Sequence, residues 1–199
     1  MTTASATLRD ITGMGQTPTN LKNAALIMVD CQNTYREGVM QLTNVEPAIL
    51  EAKKLLQMAR DLGRPVIHIR HDAGVGSPYD LTATNGQISD EVAPIRGESV
   101  ITKNYPNSFW HTDLEAQLKA LGAQNLVIAG FMTHVCINST ARGAFNLGFN
   151  PTVVASACAT RALELHNGKV IEAQTMHESA LAGLRDLFAV VVEDSTALV

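Results

Sequence analysis

No stretch of the chain approaches the roughly 20 consecutive apolar residues that a membrane-spanning helix needs, so no such segment is expected. Clustered positive charge is missing too. The formal net charge is −4, which argues against nucleic acid as a partner. Cysteine is scarce: Cys31, Cys136 and Cys158 form neither a disulfide framework nor a metal-type spacing, which predicts reduced thiols and a cytoplasmic setting. The opening, MTTASATLRDITGMGQTPTN, lacks an apolar h-region and is not read as a secretory signal. Aromatic residues make up only 5% of the chain, so any local grouping of them is informative.

What is present points to an α/β domain. A chain of 199 residues favours one domain with a substantial core. Residues 1–22 are polar and rich in Thr, Gly and Pro. They are read as an N-terminal extension lying on the surface or on a partner subunit, and residues 23–199 as the domain. Short apolar runs then alternate with helical patterns. Ala24–Asp30, AALIMVD, is continuously apolar and suits a strand buried on both faces. EPAILEAKKLLQMARDLG follows at helical spacing, with Pro47 in its first turn and Gly63 as its cap. Further strands are predicted at Pro65–Arg70, Glu98–Lys103, Asn125–Gly130, in PTVVAS and in FAVVVED, with helices between the later ones. The segment from His71 to Gly97 has no clear period and is read as a binding loop or a short helix. Alternating strands and helices imply a three-layer α/β/α sandwich with a six-stranded parallel sheet, Rossmann-like in class.

In open sheets of this kind ligands bind beyond the carboxyl ends of the strands. Three chemically useful side chains fall there: Asp30 after the first strand, Lys103 after the third, and Cys136 where the fourth passes into a helix. A thiol reacts as its thiolate, and a helix start or a nearby ammonium pulls it below the usual value of about 8.5. A carboxylate can take the thiol proton and later deliver it to a leaving group. Amides at the helix start can hold the oxyanion formed on attack. Taken singly, each residue also has an ordinary reading. Cys136 could be a packing residue, Asp30 a cap or turn residue, and Lys103 a solvated charge.

The segments ALIMVDCQNTY, VITKNYPNSFW and GFMTHVCINSTARGAFNLGF resemble three signature segments of the isochorismatase-like cysteine hydrolases. That superfamily includes nicotinamidases, N-carbamoylsarcosine amidohydrolases, ureidoacrylate hydrolases and isochorismatases. The likeness runs from about Leu21 to the end of the chain. It implies a catalytic triad of Asp30, Lys103 and Cys136, an oxyanion hole from the amides of Val135 and Cys136, and a cis peptide at His134–Val135. It also implies a pocket aromatic at Tyr35 and a homo-oligomer, dimer or tetramer. Phe109 and Trp110, which follow the lysine motif, are read as an apolar wall of the substrate pocket. His134 stands where the family often has an acidic or amide residue, and is read as altering the pocket or an interface.

The segment HIRHDAGVG lacks the spacing of the metal-dependent nicotinamidases. No metal and no cofactor are therefore expected, with His68 read as a core residue and His71 as a loop or pocket residue. Cys31 is read as core, Cys158 as a weaker pocket candidate, and Arg142 and Arg161 as structural. The expected partner is a small-molecule substrate, hydrolysed at an amide-type C–N bond through a thioester on Cys136. Two alternatives stand beside it: vinyl ether hydrolysis by Asp30 acting as an acid, and a non-catalytic thiol sensor or binding protein.

Overall fold

The protein is described by a computed structural model covering residues 3–199. Its centre is a six-stranded sheet, and each strand in it reads as an apolar run in the sequence. The chain sets down β1 (Ala24–Val29), β2 (Val66–His71), β3 (Ser99–Lys103), β4 (Asn125–Phe131) and β5 (Asn150–Ala159). A small hairpin of β6 (Leu163–Glu164) and β7 (Val170–Ile171) follows, and β8 (Val190–Val192) closes the sheet. The order across the sheet is β3-β2-β1-β4-β5-β8, and every pairing is parallel. From β1 the chain winds outward through β2 and β3, then returns to the other side of β1 and winds out through β4, β5 and β8. The order therefore reverses between β1 and β4, which opens a crevice at their carboxyl ends.

Alternation along β1 sends successive side chains to opposite layers. Leu26 and Met28 join the core beneath the helix α2 (Val45–Asp61), with Ile49, Leu55 and Leu56. Ala25, Ile27 and Val29 join the other core, with Leu114 and Leu118 of α3 (Leu114–Ala120), Ala141 and Ala144 of α4 (Asn138–Asn146), and Leu181 and Leu184 of α5 (Ala173–Leu187). The expected three-layer fold is the one observed. Pro47 lies in the first turn of α2, and Gly63 takes a left-handed φ of 60° just past its end.

One local expectation is narrowed and two are corrected. Of the two placements expected for the N-terminal extension, its described residues take the surface one, on α5 of their own chain. Its short helix α1 (Leu8–Ile11) carries Arg9, which donates to the carbonyl of Leu187 at 3.1 Å and to that of Gly15 at 2.8 Å. The Leu8 amide donates to Asp186 at 2.9 Å. Met1 and Thr2, the first two residues of the extension, lie outside the described residues. Second, β5 runs past PTVVAS to Ala159, because β4 continues to pair with it as far as Ala159. Third, β4 does not pass straight into an α-helix. Thr133–Ile137 form one π-helical turn, and α4 starts only at Asn138.

The connection between β2 and β3 holds two short 3-10 turns, Thr84–Gly86 and Asp90–Val92. It is stitched to the strand ends by the buried side chain of Gln32. That amide donates to the carbonyls of Gly86 at 2.7 Å and His71 at 3.0 Å.

Candidate active site

The topology decides which strand ends meet. Asp30 leaves β1 at a left-handed φ of 50°, a conformation that Asp tolerates better than most residues. Its amide donates to the Ile69 carbonyl at 2.9 Å. Lys103 is the last residue of β3, two strands away, and its long stem reaches across the end of β2. Its ammonium Nζ lies 2.6 Å from Asp30 Oδ2, and both side chains are wholly buried. The same Nζ donates to Cys136 Sγ at 3.4 Å. Thus Asp30, Lys103 and Cys136, separated widely in sequence, converge in one buried cluster at the switch point. Asp30 Oδ1 is buried without a hydrogen-bond donor, so it is open to accept a proton.

The electrostatics depart from the simple expectation of an acidified thiol. Burial pushes the Cys136 thiol up, the Asp30 charge adds to this, and Lys103 only partly opposes it; the result is about 12. Burial by itself would lower Lys103, but Asp30 and Cys136 outweigh it and leave the ammonium above its ordinary value. The resting cluster therefore holds Cys136 as a thiol beside a fixed cation. Attack has to be accompanied by transfer of the proton to a base.

The turn carrying Cys136 also differs in detail from what the resemblance implies. The cis peptide is at Phe131–Met132, not at His134–Val135. The Val135 amide, expected in an oxyanion hole, donates to the Met132 carbonyl at 3.1 Å, and the Ile137 amide donates to the same oxygen at 3.2 Å.

The predicted pocket residues divide. Tyr35 is 1% exposed and lies close enough to Asp30 and Cys136 for their charges to raise its pKa, after the larger effect of burial. Its hydroxyl is 3.2 Å from that of Tyr79. Phe109 instead stacks on Phe149, with ring centroids 5.7 Å apart, in the core beneath α3 and α4. Trp110 is 57% exposed and meets His111 edge-on at 4.9 Å. His134 turns away, its Nδ1 bonded to Thr160 Oγ1 at the end of β5. A cavity of about 580 Å³ lies on that side as well, lined by Cys158, Thr160, His177, Glu178 and Glu193 but not by Cys136.

The sequence reads His71 as a loop or pocket residue. The structure places it at the end of β2, with Nδ1 3.1 Å from Lys103 Nζ. The signal was the register: His71 and Lys103 are direct partners across β2 and β3. Tyr79 was missed altogether, because no periodicity marks the loop that delivers it. His68 is buried as expected, but it is not merely apolar filling. It pairs with Glu98 at 2.8 Å, which Arg60 also holds at 2.7 Å. Among the described residues no group of three or more His, Cys, Asp or Glu converges as a metal site.

A family model described as the Isochorismatase domain matches residues 24–195. An uncharacterized isochorismatase family protein of Bacillus subtilis, YddQ, is 38% identical over 170 residues, which cover 84% of this chain and 94% of that one. Maleamate amidohydrolase of Pseudomonas putida is 30% identical over 177 residues, 80% of each chain. The crystal structure of an isochorismatase from Pseudomonas putida KT2440 superposes with a TM-score of 0.94 at 36% identity, covering 98% of this chain and 100% of that one.

Proposed function

The chain belongs to the isochorismatase family and is a hydrolase, and from that premise we propose that it cleaves a small amide-type C–N bond through Cys136, without a metal. The observation that carries this reading is the single ammonium of Lys103, 2.6 Å from Asp30 and 3.4 Å from Cys136. The similarity to a maleamate amidohydrolase supports the choice of an amide.

The steps follow from the cluster. Asp30 takes the Sγ–H proton as Sγ attacks the carbonyl carbon, so a high resting thiol pKa is no obstacle. The oxyanion is held by amides of the Thr133–Ile137 turn, with that of Val135 turning from Met132 to serve. Asp30 then protonates the departing nitrogen, leaving a thioester on Cys136. Water attacks the thioester as Asp30 removes its proton, and the acid leaves as that proton returns to Sγ. Lys103 stays an ammonium throughout and keeps Asp30 and Cys136 in register. The unpaired, buried thiols support a reducing, cytoplasmic setting. The exposed pair Tyr105 and Trp110 supports a contact between subunits of a homodimer or tetramer.

A second reading is favoured by the isochorismatase name of the superposed structure. Asp30 could protonate a vinyl ether without help from the thiol. The test is hydrolysis of a panel of small primary amides and of isochorismate by wild type and Cys136→Ser. Mass spectrometry would follow for a hydroxylamine-sensitive acyl group on Cys136. Amide turnover with that adduct supports thiol chemistry. Vinyl ether turnover that survives Cys136→Ser would replace it with the second reading.

A further inference from the structure

An ammonium has three protons to donate and no capacity to accept. Two acceptors of Lys103 belong to the proposed chemistry. The third is the ring of His71, whose Nδ1 lies 3.1 Å away. That contact requires a lone pair on Nδ1, hence a neutral ring with its proton on Nε2. The ring is itself held in place. The Gln32 side chain grips both sides of the His71 peptide, accepting from its amide at 2.8 Å and donating to its carbonyl at 3.0 Å. Tyr79 packs edge-on against the ring, centroid to centroid 4.8 Å.

We propose that His71 is a positioning residue: through Nδ1 the neutral ring fixes the Lys103 ammonium between Asp30 and Cys136, and protonation of the ring releases it. The proposal rests on the reading of Lys103 and Cys136 as reacting machinery. A lysine stem is flexible, and two acceptors leave the head free to swing about the line joining them. A third acceptor on a rigid strand end removes that freedom. The groups facing the ring are Lys103 from β3, Asp30 from β1, its neighbour Asp72, and Tyr79 from the loop. Burial and then Lys103 depress the ring's pKa, while Asp30 and Asp72 oppose them; the net direction is down. The ring is thus neutral near pH 7, and the release belongs to the acid side of the ordinary histidine range.

Two variants and one spectroscopic measurement test this. His71→Leu keeps bulk and removes the acceptor. His71→Asn puts an amide oxygen near the Nδ1 position and cannot titrate. In the unliganded protein, ring ¹⁵N shifts should show an unprotonated Nδ1 at pH 7. Iodoacetamide labelling of Cys136 at fixed pH should slow about tenfold in His71→Leu, the scale of a hydrogen bond to a charged group, and recover in His71→Asn. With an amide substrate, kcat should fall in His71→Leu with little change in KM, and the His71→Asn profile should lack the step that the His71 ring contributes on the acid side. A proton on Nδ1, or labelling of Cys136 in His71→Leu at the wild-type rate, overturns the proposal. If His71→Leu does not fold, the ring shifts and the pH profile of His71→Asn decide. Failure of every amide substrate strikes the proposed function, while the labelling and the ring shifts still decide on His71.

Discussion

Cys136 and Cys158 flank β4 at the same end of the sheet, and by two common criteria they are twins. Each is 5% exposed, and burial pushes each thiol up to about 12. Cys158 even has more room, since it borders the cavity of about 580 Å³. The difference is in the neighbours. Cys136 touches an ammonium and lies beside a carboxylate. The opposing influence on Cys158 is only a backbone hydrogen bond with Gly130. Exposure, cavity size and resting acidity therefore do not mark the nucleophile. What marks it is a base placed to remove the proton during attack, and a fixed cation that holds base and thiol together.

The largest effect that could break this contrast comes from the sulfurs. Cys136→Ser is expected to lower kcat/KM for the amide substrate about 10³-fold or more, and Cys158→Ser to stay within about threefold. Comparable losses in the two variants would end the distinction. Next comes the cation. Lys103→Met leaves Asp30 buried and unpaired, with an expected loss of about 3–5 kcal/mol in urea unfolding. Labelling of Cys136 should then fall to the rate of Cys158. Adding Asp30→Asn should return part of the stability and none of the activity. The sign with pH is fixed by the raised pKa of Lys103. Its contribution is fully present below the unfolded lysine value and is lost as pH rises through the folded one, so Lys103→Met should lack that alkaline loss. The smallest effect is on the Cys158 side. His177 Nδ1 lies 2.9 Å from Thr133 Oγ1. His177→Phe should cost about 1 kcal/mol in stability and leave kcat/KM within about threefold, which sharpens the contrast by showing that this side supports the turn without taking part.

Much of this was legible beforehand because β1, β4 and β5 are buried strands whose apolar runs are written in the sequence. The ends of β1 and β4 and of the predicted strand Glu98–Lys103 made Asp30, Cys136 and Lys103 candidates, and the resemblance of their three segments to the family's signatures joined them as a triad. The legible part stops where periodicity stops. Tyr79 reaches the site from an aperiodic loop whose path depends on Gln32 and Gly86, contacts set by tertiary packing. Trp110 looked like a pocket wall because it adjoins Lys103 in sequence. The chain beyond Lys103 leaves the strand and turns through an irregular segment, and Trp110, followed by His111 at a left-handed φ of 55°, stays in solvent. The π turn at Cys136 was hidden for a related reason: α and π windings use the same residues, and the hydrogen bonds onto the Met132 carbonyl distinguish them.

Gly130 carries a consequence for how finely the site is adjusted. Its φ is 122°, and a β-carbon there would overlap the carbonyl oxygen of Val29. Val29 is the residue before Asp30, and Gly130 leads along β4 to Cys136. The gauge that sets base against nucleophile is therefore a missing methyl group between two backbones. A gauge of that kind has no slack and no adjustable part. Side chains around the crevice can be exchanged to suit another substrate, but the spacing at its floor is machined into the main chain.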